Sequence, residues 1–453
     1  MNRWDRAFQV LERCDPIASR GEVTEVTGLI IEANGPAVGL GSTCTIVQGD
    51  DAVLAQVVGF RKEKILLMPL GELHGIAPGA HVVANKSTPD VLVSEKLLGR
   101  VIDPMGNPLD GLGPITEGDE VPLFRAPPSP LLRERIATQY DTGIKAVNCF
   151  LSIGVGQRIA IMAGSGVGKS TFLGMIAKHA RSSVNVIALV GERGREVREF
   201  VERDLGPEGL KRSVVVVATS DSSALMRIRA GFMATAVAEY FRDQGHMVAL
   251  MLDSVTRMCM AQREVGLAVG EPPSSNGYTP SVFAMLPRML ERAGTTAGAG
   301  SITGFYTVLV EGDDMNEPIA DAVRGILDGH IILTRGLASR GHYPAIDILE
   351  SVSRLMHDIA SPEMIKLAYR ARAVLADYRE AEDLVTIGAY KPGQNPKVDE
   401  AIKYIDALNR FLRQTPNEKY TIDESVQLLS AIFEDAEAAA RTAIGGTGLA
   451  AAR

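Results

Sequence analysis

Ala163-Gly164-Ser165-Gly166-Val167-Gly168-Lys169-Ser170 lies between an apolar run, Arg158 to Met162, and a helical one, Thr171 to Ala180. The order is strand, glycine-rich turn, helix. Such a turn aims successive backbone N–H groups and the positive end of the helix dipole at one point, and phosphate suits that geometry. Gly164, Ser165, Gly166, Val167, Gly168, Lys169, Ser170 and Thr171 are therefore the expected phosphate cradle. Lys169 would reach the β- and γ-phosphates of ATP, and the Ser170 hydroxyl would sit on Mg2+. The strict pattern has Gly first, where this chain has Ala163; that position asks for small size more than for a special dihedral. A lone Gly-x-Gly would read as an ordinary turn before a helix, but Gly168-Lys169-Ser170 in this setting reads as a nucleotide site.

The chain has 453 residues, enough for two to three domains with separate cores. Its 46% hydrophobic and 23% charged residues describe a soluble globular protein, and the net charge of -8 argues against a broad nucleic-acid-binding surface. Cys14, Cys44, Cys149 and Cys259 show neither metal-ligand nor disulfide spacing and read as small core residues in a reducing compartment. No apolar run approaches the roughly 20 residues of a spanning helix, and no signal segment opens the chain. The expected location is cytoplasmic.

Residues 1–17 form a first unit, in which Trp4, Phe8, Leu11 and Cys14 make one helical stripe flanked by Arg3, Arg6 and Arg13, ended by Pro16. So short a helix must dock, either on its own barrel or on a partner or membrane surface. Residues 18–85 carry short Val/Ile/Leu/Thr-rich runs (Val23 to Ala33, Cys44 to Val47, Ala52 to Phe60, Ile65 to Pro69, His81 to Ala84) and predict a small β-barrel. Phe60 is its only aromatic residue, so oligonucleotide stacking is not favoured and a structural role is expected. Residues 85–135, rich in Pro and Gly, read as a connector leading into an α/β domain over 86–360. Arg158 to Met162, Val184 to Val190, Ser213 to Ala218, Met247 to Leu252 and Ser301 to Val310 are its expected parallel strands. Residues 265–300, rich in Gly, Pro, Ser and Thr, predict a loop. Helices follow over 361–453: Glu363 to Leu384, Pro396 to Gln414 and Ser425 to Arg441, then a small-residue tail from Gly445.

Met247 to Asp253 is an apolar strand ending in a carboxylate at the edge where open α/β sheets bind ligand, which makes Asp253 a candidate Mg2+ partner. Val190-Gly191-Glu192-Arg193 ends another strand. Hydrolysis needs a water in line with the γ-phosphate, so Glu192 is the candidate to polarise it and Arg193 to stabilise charge. The plainer reading of these two is a surface ion-pair network.

The phosphate loop, the Gly191-Glu192-Arg193 segment, the stretch Glu271 to Ser281 and above all Pro344 to Arg354 resemble the rotary ATPase family of ATP synthase catalytic and non-catalytic subunits. The match extends over the barrel, the core and the start of the helical end. Within that family, Ala163 to Ser170, Gly191 to Val197 and Gly312 to Asp321 are most similar to the branch of flagellum-specific protein-export ATPases, with injectisome export ATPases close by. The resemblance implies a homo-hexamer with nucleotide at subunit interfaces, Arg354 as an arginine finger reaching a neighbour's γ-phosphate, and Tyr343 as a stacking platform for adenine. A guanidinium offers the planar, bidentate grip that such a finger needs. Further expectations from the resemblance are a regulatory or stator partner at the N-terminal helix, a central stalk protein, export gate membrane proteins, export substrates with their chaperones, and peripheral association with the inner membrane, where the cationic stripe would favour anionic lipid. The segment 265–300 would face the central channel. Since Glu192 and Arg354 lie on one chain, six identical subunits would form six competent sites.

Two other classes compete: a subunit of an ion-translocating ATP synthase, and a hexameric RNA translocase. The amphipathic start and the export-branch motifs weigh against the first, and the acidic balance with a nearly aromatic-free barrel against the second. What co-purifies with the chain separates them.

Overall fold

The structure, a computed structural model, describes residues 20–447 apart from 50, 74, 86–89, 299, 311 and 313. The amphipathic stretch over 1–17, with Cys14, and the tail from 448 lie outside the described residues.

The chain opens with a closed barrel of six strands: β1 (Arg20–Thr27), β2 (Ile30–Asn34), β3 (Thr43–Gln48), β4 (Asp51–Arg61), β5 (Lys64–Pro69) and β6 (His81–Ala84), in the order β1-β2-β5-β4-β3-β6. Alternate residues, among them Val23, Ile31, Cys44, Ile46, Val57, Leu67 and Val82, fill its interior. The apolar run Val23 to Ala33 is not one strand but a hairpin. It turns at Gly28, whose φ of +60° lies in the left-handed region. Phe60 is exposed, as befits a barrel exterior.

The connector is more structured than its composition suggests. β7 (Asp90–Val93) pairs with β9 (Asp119–Pro122), and β8 (Val101–Ile102) lies parallel to the strand Ser213–Thr219 and extends the central sheet. A short pair, β10 (Gln139–Tyr140) and β11 (Ile153–Gly154), leads into β12 (Arg158–Ala163). The central sheet adds β13 (Val184–Glu192), β14 (Ser213–Thr219), β15 (Met247–Asp253), β17 (Ser301–Leu309), β18 (Gly329–Leu333) and β19 (Val352–Ser353), in the order β19-β18-β12-β17-β15-β13-β14-β8, with β16 (Gly294–Thr295) paired to β17. All five expected strands are present and parallel. β18, also parallel to β12, is an addition that five residues were too few to announce.

Helices cover both faces, so strands such as β13 are buried along nearly their whole length and read as continuous apolar runs. Residues 265–300 are not simply a loop: Pro280–Leu290 is a helix that buries Val282, Met285, Leu286, Met289 and Leu290. That 3–4 spacing is helical, with Pro280 at its first turn, and it outweighs the local Gly, Pro and Ser content. The C-terminal helices are Pro362–Thr386, Pro396–Leu412 and Ile422–Thr447, the last running past the expected Arg441. They are not a detached unit. Tyr404, Leu408, Phe411 and Phe433 share one core with Phe150, Ile161 and Phe172 under the sheet. Cys44, Cys149 and Cys259 are buried and free.

Candidate functional site

Four neighbouring strands, β12, β17, β15 and β13, bring the chemistry to one edge. β12 ends at Ala163, after which Gly166 (φ +79°) and Gly168 (φ +87°) adopt left-handed backbone that only glycine takes without strain. The helix Lys169–His179 starts at once, and no side chain caps its N-terminus. Its first N–H groups are therefore free for an anion. Val167 is buried and anchors the loop below, while Ser165 and Ser170 are exposed toward the cleft.

The Lys169 ammonium contacts Asp253 Oδ1 at the end of β15 and lies 3.3 Å from Glu192 Oε1 at the end of β13. Asp253 is buried and also accepts a hydrogen bond of 2.7 Å from the Thr307 hydroxyl on β17. Burial works against the Lys169 charge, but Asp253 and Glu192 more than offset it, so its pKa is raised. Burial pushes the Glu192 carboxyl up; Lys169 pulls it down and Asp253 pushes it up again, with a net upward shift. A carboxyl so poised suits proton transfer near neutral pH better than an exposed one.

Glu192 reaches this place through a bulge. The β13–β14 register slips between Val190 and Glu192, at Gly191. Gly191 has φ +73°, and a Cβ there would lie 3.1 Å from Arg257 Cβ. The bulge re-aims the next side chain, and glycine leaves room for Arg257.

The cleft holds about 650 Å³ and is lined by the loop together with Lys169, Arg193, Arg203, Arg257 and Arg335, against the carboxylates Glu192 and Glu196. Five cations to two anions along the wall favour a polyphosphate ligand. Arg193 is exposed at the cleft wall and pairs with Glu196 at 3.2 Å. Arg257 and Arg335 are cleft residues that no sequence motif announced, and Thr307 was one of several hydroxyl residues in its strand, with Ser301 and Thr303, with nothing local to single it out.

Among the described residues no three His, Cys, Asp or Glu side chains cluster as a metal cage. The Ser170 hydroxyl, which lines the cleft, and the Asp253 carboxylate, buried against Lys169, are hard oxygen donors. That set fits Mg2+, which keeps waters and is bound through one or two protein groups plus substrate phosphates.

Tyr343 packs beside the loop: a Cβ on Gly168 would lie 3.4 Å from Tyr343 Cε1. Its carbonyl accepts a bond of 2.9 Å from the backbone N–H of Gln414, so the C-terminal domain holds it there. The ring is half exposed, leaving a face open.

Arg354 is the one candidate not brought to this cleft. It follows β19, which pairs antiparallel with Gly329 and His330 at the start of β18, whereas the phosphate loop follows the strand end opposite Leu333. Four residues of strand separate these levels, about 13 Å along the strand alone. Arg354 is exposed, and its Nη2 donates to the Arg324 carbonyl at 3.0 Å.

A parallel sheet carrying a phosphate loop, two strand-end carboxylates and a cationic cleft, preceded by a β-barrel and followed by helices, defines a P-loop nucleotide hydrolase. The profile of the ATP synthase alpha/beta family nucleotide-binding domain matches residues 143–353, that family's beta-barrel domain matches 23–85, and the T3SS EscN ATPase C-terminal domain matches 360–431. The chain belongs to the ATP synthase alpha/beta family, in its type III secretion and flagellar export ATPase branch. It is 52% identical over 430 residues to the flagellum-specific ATP synthase of Bacillus subtilis (strain 168), covering 94% of this chain and 98% of that one. To the type 3 secretion system ATPase of Xanthomonas euvesicatoria it is 48% identical over 418 residues, covering 92% and 94%. Among solved structures, the assembled ATPase EscN from the enteropathogenic E. coli type III secretion system superposes with a TM-score of 0.87 at 43% identity, over 91% of this chain and 99% of that one. EscN in complex with its central stalk EscO gives 0.84 at 42% identity, with the same coverage.

Proposed function

We propose that this chain hydrolyses ATP as one of six identical subunits and so energises protein export through a flagellar type III secretion apparatus, releasing and unfolding export substrates delivered by chaperones. The observation that carries the reading is the split of the machinery: Lys169, Glu192 and Asp253 meet at one end of the sheet, while Arg354 stands at the other, out of reach of its own cleft.

The loop amides and Lys169 bind the β- and γ-phosphates and hold the reacting group in place. Ser170 and Asp253 would hold Mg2+, which when bound neutralises phosphate charge. With phosphate oxygens beside it, Lys169 exchanges part of its pairing with Asp253 and Glu192 for the nucleotide. Glu192 orients the attacking water and accepts its proton, and Arg193 and Arg257 balance charge in the cleft. Tyr343 stacks on the base. Arg354 of a neighbouring subunit approaches the γ-phosphate and stabilises the transition state, an effect worth about 10³–10⁵ in rate where such fingers act.

Membership in this branch and the likeness to an assembled, stalk-bound relative support a homo-hexamer turning on a central stalk protein. Among the described residues no helix is long and apolar enough to cross a membrane. Work at the cytoplasmic face of the inner membrane, against export gate proteins and with a regulatory or stator partner at residues 1–17, completes the proposal.

Mixing tests it. Arg354→Ala and Glu192→Gln chains are each expected to be nearly inactive. In a randomly mixed ring about a quarter of interfaces pair an intact Glu192 with an intact neighbouring Arg354, so about a quarter of wild-type activity returns. No recovery in verified mixed hexamers refutes the shared site.

A further inference from the structure

The long helix Pro362–Thr386 carries Arg372 and Arg379, seven residues apart and so on one face. Both guanidinium groups leave the C-terminal domain and grip the segment that ends in Arg354. Arg379 Nη2 donates to both carboxylate oxygens of Asp347, at 2.9 Å each. Arg372 Nη2 donates to the carbonyls of Ser351, at 3.3 Å, and Phe150, at 3.1 Å.

What they grip is tightly tied. Asp347 Oδ1 also accepts the backbone N–H groups of Leu349, at 3.0 Å, and Glu350, at 3.1 Å, which folds the chain into a turn. The Ser351 hydroxyl donates to the Asp347 carbonyl at 2.6 Å and accepts the Ile332 N–H of β18 at 2.9 Å. β19 then pairs with the start of β18, and the Arg354 N–H donates to the Asp328 carbonyl at 3.1 Å. Every link from the C-terminal helix to the Arg354 backbone is thus a hydrogen bond or ion pair. The Arg354 side chain itself makes one bond, to Arg324.

We propose that Arg379, with Arg372 behind it, is a positioning residue for the Arg354 finger, so that the C-terminal domain of one subunit sets the catalytic rate of its neighbour's site. The proposal rests on the reading of Arg354 as a finger acting in trans. A displacement of about 1 Å in such a group costs up to about 100-fold in rate; loss of the Arg379 anchor on Asp347 is expected to lower kcat by about 10-fold or more with KM for ATP little changed. A tilt of the C-terminal helices would be transmitted along the same links.

The alternative is that the Asp347 turn supports Tyr343, four residues upstream, and so the subunit's own cleft. Mixed hexamers separate the two. If Arg379 positions the finger, Arg379→Ala chains retain intact clefts: mixed with Glu192→Gln they recover to about a quarter of wild type, and mixed with Arg354→Ala they do not exceed the average of the two. If it supports its own cleft, the pattern reverses and the proposal is overturned, as it is by wild-type kcat in Arg379→Ala alone. Asp347→Asn, which keeps an oxygen for the turn but loses the charge, is run through the same arms as a second variant. Arg379→Lys should regain part of kcat. Each variant should keep the wild-type size and stay folded well above the assay temperature, although loss of the Arg379–Asp347 pair lowers the thermal midpoint somewhat. The control mixture of Arg354→Ala with Glu192→Gln keeps the failures apart: no recovery there removes the finger in trans and the proposal with it, whereas recovery there with a reversed Arg379 pattern removes the proposal alone.

Discussion

Replacing Lys169 by Met removes the cation from between two carboxylates while keeping most of the stem's volume. The ammonium contacts Asp253, whose side chain is 2% exposed, and lies 3.3 Å from Glu192, whose side chain is 15% exposed. Breaking a buried pair by removing one partner costs about 3–5 kcal/mol. Glu192 opens onto the cleft, where water screens part of that penalty, so about 2–3 kcal/mol is expected. At about 2–4 °C per kcal/mol for a domain of this size, the thermal midpoint falls by roughly 4–12 °C. The pH dependence has a definite sign. Burial raises Glu192 and Lys169 is the group holding it down. Without Lys169 the folded state binds this proton more tightly than the unfolded chain, whose value is about 4.3. Stability is then greatest below that value and is lost as pH rises through the folded pKa. The deficit against wild type is therefore full at pH 8 and shrinks toward pH 5. Melting followed by circular dichroism without nucleotide at the two pH values measures it. The double variant Lys169→Met/Asp253→Asn, whose neutral amide still accepts the Thr307 hydroxyl, should regain at least half the loss. A single variant that melts like wild type at pH 8, or with the same deficit at both pH values, would refute the electrostatic account.

Glu192→Gln should bind nucleotide normally and turn over about 10²–10⁴ times more slowly, and wild-type turnover should fall on the acid side with a midpoint above the ordinary glutamate range; an undiminished rate removes Glu192 from the water. Gly191→Ala forces a side chain into left-handed backbone and against Arg257, so it should cost about 1–2 kcal/mol and depress kcat through both neighbours; a neutral outcome in denaturant and turnover assays would show that the bulge is not needed. Arg292 is fully buried and paired with Glu239 at 2.7 and 3.0 Å, so Arg292→Met should cost about 3–5 kcal/mol, with Glu239→Gln in the same chain restoring part of it. Tyr343→Ala should raise KM for ATP with little change in kcat, and Tyr343→Phe should restore KM; an unchanged KM in the alanine variant removes the stacking role.

The parts of the site that could be read in advance are those written in consecutive residues. A phosphate loop needs its glycines, Lys169 and Ser170 at fixed spacing, and a strand that ends in Asp253 announces itself by the apolar run before it. What could not be read depends on pairing between distant segments. Thr307 matters because β17 lies between β12 and β15, an order that no local pattern encodes. β18 is too short to show a period. The helix Pro280–Leu290 did carry its apolar spacing openly, but neighbouring prolines, glycines and serines dominated a reading by composition. Arg193 shows what adjacency leaves out: it lines the same cleft as Glu192, but at the start of a helix it pairs with Glu196 one turn on, a contact that only the fold reveals.

The position of Arg354 also follows from pairing, and it bears on the proposal that one kind of chain suffices. The segment 343–354 begins beside the phosphate loop, where Tyr343 meets Gly168. It then runs back antiparallel to β18 and ends at the opposite end of the sheet. On the proposed reading, one short stretch would serve the subunit's own cleft at its first residue and offer a guanidinium to a neighbour at its last. Between them lies Asp347, held by Arg379 from the C-terminal domain. If Tyr343 and Arg354 act as proposed, the tied turn at Asp347 lies between them in one chain, and a nucleotide against Tyr343 would bear on the segment that ends in Arg354. Coupling of this kind needs no second subunit type, only a ring that closes.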